Sequence, residues 1–228
     1  MEKHEFANTT ELNAAFADRI IALLEKGIAS TGRASLLVSG GRTPAPLFQM
    51  LSERPIDWSK VDVSLVDERW VSEADDASNT KMVKANLLQN NAAVANFVGL
   101  VTEADNAQDA VAECTDNLKH IKQPFDVLIL GMGEDGHTAS LFPCSEQIKA
   151  GLDRSKADRY IAVQPTTAPH QRMSLTLDAI LTSQNIFLHL TGAGKKAVLE
   201  QALAGDDPLE MPIRAVLQNA SVELMWAP

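Results

Sequence analysis

The chain has 228 residues, 45% of them hydrophobic, which is enough to bury a substantial core in a single α/β domain spanning 1–228. Its net charge of -10 argues against nucleic acid as a partner, and no apolar run approaches the ~18 residues a membrane span needs. Met1-Glu2-Lys3-His4-Glu5 has no apolar segment behind it, and Cys114 and Cys144 have neither metal-site nor disulfide spacing, so a reduced, cytoplasmic setting is expected.

Thr9 or Thr10 is expected to cap a first helix, in which Leu12, Ala15, Phe16, Ile20, Leu23 and Leu24 recur at helical spacing through about Lys26. After Gly32, Ser35 to Val38 reads as a buried strand. The turn Ser39-Gly40-Gly41-Arg42-Thr43-Pro44 leads from it into a helix through about Leu51. Backbone N–H groups in such a turn form an anion-binding concavity, and a helix start adds its dipole. No Gly-Lys-Ser/Thr follows, so this is not a Walker loop. Taken alone, it is equally a plain connection.

Val61 to Val66 is the next strand, with Asp67-Glu68-Arg69 at its carboxyl end, where the bland reading is a solvated charge cluster. Asp75 to Asn79 reads as a loop and cap before a helix through Leu88. Phe97 to Leu100 is a weak strand, and Ala107 to about Ile121 a helix with Val111 and Leu118 facing inward.

Phe125 to Pro143 organises the chain. Val127-Leu128-Ile129-Leu130 is a short, branched apolar run, as expected of a strand buried on both faces of a parallel sheet. Glycines follow at 131, 133 and 136, with Asp135 and His137 inside the turn, and Thr138-Ala139-Ser140-Leu141 is expected to begin a helix. The turn matches the dinucleotide fingerprint G-x-G-x-x-G. It also carries Glu134 and Asp135, whose carboxylates would repel a diphosphate, so the match is read as a decoy.

Further strands are expected at Tyr160 to Val163, at Arg172 to Leu177, where a helix can follow, at Asn185 to Leu190, and at Val222 to Trp226. Thr191-Gly192-Ala193-Gly194-Lys195-Lys196 opens a helix through about Leu203. Together these elements make an open, mainly parallel sheet flanked by helices. Ligands of such sheets collect at the carboxyl ends of the strands. Four clusters should meet there: Ser39 to Thr43, Asp67 to Arg69, Gly131 to His137, and Gly192 to Lys195.

Arg42, Arg69, Arg172 and Lys195 are then available to neutralise a phosphate, which an acidic chain can hold only where local cations reverse its field. Asp135 and His137 are available for proton transfer, since imidazole suits a general base near neutral pH. A lone histidine is more often structural, but His4, His120, His170 and His189 lack such a setting. No spacing among the histidines suits a metal, so none is expected, and no G-x-S-x-G elbow occurs.

The motifs G-M-G-E-D-G-H-T-A-S-L-F-P, S-G-G-R-T-P, D-E-R-W-V, S-N-T, R-M-S-L-T and T-G-A-G-K-K-A-V-L, in this order from Ser35 to Leu203, resemble the 6-phosphogluconolactonase family. The first block is highly specific; the others are weaker singly. The resemblance implies hydrolysis of 6-phosphoglucono-1,5-lactone in the oxidative pentose phosphate pathway, with no metal or organic cofactor. It also implies a fold shared with glucosamine-6-phosphate deaminases. A deaminase is the first alternative, but its pattern D-G-H-x-A-F-N-E-P places a glutamate where this chain has Phe142, and it favours D-E-Y over Asp67-Glu68-Arg69. A non-catalytic sugar-phosphate sensor is the second, and such modules are usually joined to a DNA-binding segment, for which this chain has no room.

The implied roles are His137 as base, held by Asp135, and Arg69 at the oxyanion or at the phosphate. Ser39, Gly40, Gly41, Arg42, Thr43, Asp67, Arg172 and Lys195 would bind the sugar phosphate. A monomer with a small-molecule substrate is expected.

Overall fold

In the computed structural model, which describes residues 1–155 and 158–228, the chain opens on a strand that no apolar pattern signals, β1 (Glu2–Glu5). It lies at the sheet edge, mostly exposed, so its side chains carry little hydrophobic alternation. Helix α1 (Thr9–Thr31) is capped by Asn8, whose side chain accepts from the Glu11 N–H, and not by either threonine. It runs past Lys26 until Gly32 adopts a left-handed conformation (φ 82°) and closes it.

The expected β2 (Ala34–Val38), α2 (Ala45–Ser52) and β3 (Val61–Leu65) come next, then a short strand that the sequence does not signal, β4 (Asp67–Arg69), and after it the expected α3 (Asn79–Asn86) and β5 (Asn96–Val98). The helix expected over 107–121 shrinks to α4 (Val111–Asn117) and a 3-10 turn at Leu118–His120. Asn106 Oδ1 accepts from the Asp109 N–H and bends the chain before the helix can start. Val111 is half-buried; Leu118 is buried, as expected.

Strand β6 (Val127–Leu130) leads into the glycine turn, and no helix begins at Thr138. Thr138 pairs with Leu141 in an isolated bridge, and Ala139 has φ 49°, outside the right-handed helical region. Distant partners win here. Thr138 Oγ1 donates to the Gly131 carbonyl at 2.8 Å, Ser140 Oγ to Asp67 Oδ2 at 2.5 Å, and the Ser140 N–H to Ser174 Oγ at 3.1 Å. The chain continues through α5 (Ile148–Leu152), β7 (Tyr160–Val163), β8 (Arg172–Leu175), α6 (Leu177–Leu181), β9 (Ile186–Thr191), α7 (Ala193–Ala204), α8 (Ile213–Asn219) and β10 (Val222–Ala227).

Seven strands form one wholly parallel sheet in the order β1-β10-β9-β6-β2-β3-β5. From β2 the chain steps outward to β3 and β5; from β6 it steps the other way, to β9 and β10. The direction reverses between β2 and β6, and right-handed crossovers put the connecting helices of the two halves on opposite faces. Val38, Ile129 and Phe187 are in register; β2 ends at Val38 and β6 one residue past Ile129, while β9 runs on past Phe187 to Thr191. Their side chains are buried. A small antiparallel sheet, β4-β8-β7, stands beyond these carboxyl ends and turns Asp67 to Arg69 into a strand, not a loop. The fold class is α/β, an open, mainly parallel sheet with helices around it.

Candidate functional site

The reversal between β2 and β6 leaves a crevice at the carboxyl ends of the strands, the usual ligand position in an open α/β sheet. A cavity of about 250 Å³ occupies it. Ser39, Gly40, Gly41, Arg42, Thr43, Asp67, Arg69, His137, Arg172 and Lys195 all line it, so all four strand-end clusters come together. Asp135 does not reach the cavity and lies behind His137.

The loop after β2 is shaped by its glycines. A Cβ on Gly40 would fall 1.8 Å from Asn79 Oδ1, and Gly41 has φ 106°. Asn79 Nδ2 in turn donates to the Asp67 carbonyl at 2.8 Å. The Ser39 hydroxyl is buried with no partner. Arg42 and Thr43 are exposed at the rim.

Glu68 is not part of a solvated cluster. It is fully buried; Oε1 accepts from the N–H groups of Arg69 (2.7 Å) and Asn79 (2.8 Å), and Oε2 from the Thr80 N–H (2.7 Å) and Ser78 Oγ (3.2 Å). Burial pushes its pKa up, while these N–H groups pull the other way. Glu68 thus ties β4 to the start of α3. It holds Arg69 and Asn79 at the cavity from behind.

Arg69 and Arg172 are register partners across β4 and β8. Arg69 Nη1 donates to the Ala77 carbonyl at 2.6 Å, and Arg172 Nη2 to the Pro169 carbonyl at 3.2 Å; each Nε is buried without a partner. Burial, and then the charge of Arg69, lower the pKa of Arg172. Its guanidinium carbon lies 5.7 Å from the centre of the Phe142 ring.

The other face of the site is the turn after β6. The N–H of Gly133 donates to the His137 carbonyl at 2.8 Å, that of Gly136 to the Gly133 carbonyl at 3.2 Å, and that of His137 to Asp135 Oδ1 at 3.1 Å. His137 Nδ1 lies 2.5 Å from the same Asp135 oxygen. Burial pushes the Asp135 carboxyl up, but the hydrogen bond and charge of His137 outweigh it and hold the group below the usual carboxylate range. With Nδ1–H donating to the Asp135 carboxylate, the Nε2 lone pair of a neutral ring is left as an acceptor. Phe142 stacks on this ring, centroids 4.1 Å apart and planes 29° from parallel. Lys195, in the first turn of α7, ion-pairs with Glu134 at 2.7 Å.

Asn79, Phe142 and His189 also line the cavity without having been assigned a site role by the sequence. Asn79 lies inside the S-N-T motif. Phe142 stands out in sequence only as the absence of an acid. His189 is buried, neither ring nitrogen has a partner, and burial lowers its pKa to about 4, so it is neutral. Among the described residues the only group of three potential metal donors is Glu2, His4 and Glu223, at the β1 edge and away from the cavity.

A family model described as glucosamine-6-phosphate isomerases/6-phosphogluconolactonase matches residues 7–226. A 6-phosphogluconolactonase of Pseudomonas putida is 44% identical over 225 residues, covering 99% of this chain and 92% of that protein. The crystal structure of a 6-phosphogluconolactonase from Shewanella baltica OS155 superposes with a TM-score of 0.97 at 43% identity, covering 100% of this chain and 98% of the other. A monomeric glucosamine-6-phosphate deaminase shares the fold alone, with a TM-score of 0.82 at 18% identity over 100% of this chain and 97% of that one.

Proposed function

The chain belongs to the family of glucosamine-6-phosphate isomerases and 6-phosphogluconolactonases, and we propose that it hydrolyses 6-phosphoglucono-1,5-lactone to 6-phosphogluconate with His137 as general base. The observation that carries this reading is the ordered set Asp135, His137 and Phe142. Asp135 accepts a hydrogen bond from Nδ1–H, so the Nε2 lone pair is free to take a proton, and the ring packed against the imidazole is apolar. A deaminase pattern would place a proton-carrying glutamate at position 142. Phenylalanine there supports water attack on a lactone over ring opening and proton shuttling of an amino sugar.

In the proposed step, His137 Nε2 removes a proton from water as its oxygen bonds to C1, and the carbonyl oxygen becomes an oxyanion. Arg69 stabilises that charge. The intermediate then expels the ring oxygen on C5, which takes the proton back from the imidazolium, and the acid product ionises in water. A general base of this kind contributes about 10²- to 10⁴-fold. Arg172, Lys195 and Arg42 neutralise the phosphate, with the Ser39 to Thr43 loop around it, and Asp67 accepts from a sugar hydroxyl. This chemistry needs no metal and no organic cofactor. The proposal extends to a single domain over 1–228 that acts as a cytoplasmic monomer without nucleic acid. Among the described residues no helix is long and apolar enough to cross a membrane.

The test is acid release from 6-phosphogluconolactone, corrected for spontaneous hydrolysis, with glucosamine 6-phosphate as the comparison substrate. Turnover of the lactone and none of the amine is expected. Ammonia release from glucosamine 6-phosphate would reverse the assignment.

A further inference from the structure

Four basic side chains border the cavity: Arg42, Arg69, Arg172 and Lys195. Among the described residues, Arg42, Arg69 and Arg172 have no carboxylate within ion-pair distance. Lys195 does have one, the exposed Glu134, at 2.7 Å. The two residues follow neighbouring strands: Glu134 sits in the turn after β6, and Lys195 in the first turn of α7 after β9. Glu134 has no other hydrogen-bond or ion-pair partner among the described residues, and nothing in the core depends on it. An acid at the rim of a basic pocket weakens what the pocket collects, so its position calls for a reason other than stability.

We propose that Glu134 is a tethered competitor for Lys195, occupying the cation when no phosphate is bound and limiting how tightly the pocket holds a phosphate group. The inference rests on reading Lys195 as a phosphate ligand. A phosphate arriving at Lys195 must displace the Glu134 carboxylate into water, and on leaving it is replaced by a group already at high local concentration. Substrate and product carry the same phosphate, so the penalty falls on both alike. Holding both less tightly favours product release and leaves the chemical step untouched, because uniform binding adds nothing to kcat. Inorganic phosphate is weakened by the same factor, which keeps a small abundant anion from filling the site.

The experiment is calorimetric titration of inorganic phosphate, and separately of 6-phosphogluconate, into four proteins: wild type, Glu134→Gln, Lys195→Ala and the double variant. Glu134→Gln is isosteric and exposed, so folding is preserved. It should tighten both ligands by the same factor, about two- to fivefold, the range an exposed ion pair commands. In the Lys195→Ala background the effect should vanish. If Lys195→Ala binds phosphate as well as wild type, the phosphate site itself is misassigned and the competitor falls with it. If Lys195→Ala weakens phosphate but Glu134→Gln changes nothing, Lys195 stands and the competitor is overturned. Equal tightening with and without Lys195 would mean a general field effect, which also overturns it.

Discussion

Arg69 and Arg172 face each other across two antiparallel strands, and neither has a carboxylate partner among the described residues. Like charges directly opposite are destabilising, and a buried guanidinium without a counter-charge adds a desolvation cost. An anion in the cavity relieves both. Inorganic phosphate should therefore raise the melting temperature, by the equivalent of about 2.7 kcal/mol at a hundred times its Kd. Arg172→Met keeps much of the side chain's bulk and removes one charge. It should melt no lower than wild type in phosphate-free buffer and lose most of the phosphate-induced rise. Thermal denaturation with and without phosphate checks this; an undiminished rise in the variant would place the anion elsewhere.

Replacing His137 by Ala should lower kcat at least about 10²-fold with the fold intact, and a folded variant with near-normal turnover would remove His137 from the mechanism. Asp135→Asn should also lower kcat, because an amide holds the imidazole in one tautomer less firmly than a carboxylate. The acid limb of stability gives a second reading of Asp135. Its folded pKa is depressed by His137, so its stabilisation is present above the ordinary carboxylate value of ~3.9 and is lost as the pH falls through the lower folded value. The stability gap between wild type and Asp135→Asn should close below about pH 4, measured by denaturant titration at several pH values.

Glu68→Gln tests the support behind the site. Both carboxylate oxygens accept hydrogen bonds, and an amide turns one of these acceptors into a donor facing the Thr80 N–H or the Asn79 N–H. A stranded buried N–H costs about 1–3 kcal/mol, so the melting temperature should drop by several degrees. Activity should fall as well, because the same carboxylate fixes Asn79 and the backbone of Arg69. An unchanged melting temperature would mean that the buried acid is not a structural tie.

Much of this arrangement can be read from the chain because buried parallel strands are apolar on both faces. Ser35 to Val38 and Val127 to Leu130 stand out for that reason, and whatever polar residues follow them must lie at the ligand edge. The features that escape are those decided by distant partners. Glu68 looks like any surface acid until Ser78 to Thr80 fold over it. Thr138 to Leu141 can begin a helix by its sequence, but Ser174 accepts from the backbone N–H of Ser140 and Asp67 from its hydroxyl. β1 is an edge strand with solvent on most of its side chains, and α8 is a seven-residue helix with no side-chain cap, so neither carries a local pattern. Phe142 reads as a missing acid, and only the fold lays its ring on His137.

The dinucleotide match at Gly131 to Gly136 should bind neither NAD nor NADP. The N–H groups of Gly133, Gly136 and His137, which a pyrophosphate would need, are bonded within the turn, and no helix follows it. A Cβ on Gly133 would fall 2.1 Å from His137 Nδ1, so the space beside that glycine belongs to the imidazole. Calorimetric titration should show no heat of binding at micromolar nucleotide, and a micromolar Kd lost on altering this turn would contradict the assignment.

Arg69 and Arg172 sit side by side but should separate kinetically. Arg172 and Lys195 are assigned to the phosphate, which is the same in ground and transition states, so Arg172→Ala and Lys195→Ala should raise KM more than they lower kcat. A charge-assisted hydrogen bond contributes about 1.5–3 kcal/mol, hence a loss in kcat/KM of about ten- to a hundredfold. Arg69 is assigned to the oxyanion, which exists only in the transition state, so Arg69→Ala should lower kcat with a smaller change in KM. Unphosphorylated glucono-1,5-lactone distinguishes the two assignments. It has no phosphate to lose, so its slow hydrolysis should suffer much less from Arg172→Ala or Lys195→Ala than that of the phosphorylated lactone, while Arg69→Ala should slow both lactones by similar factors. If Arg69→Ala instead spares the unphosphorylated lactone and raises KM for the other, Arg69 belongs to the phosphate with Arg172. The oxyanion would then have to be met by another donor at the cavity.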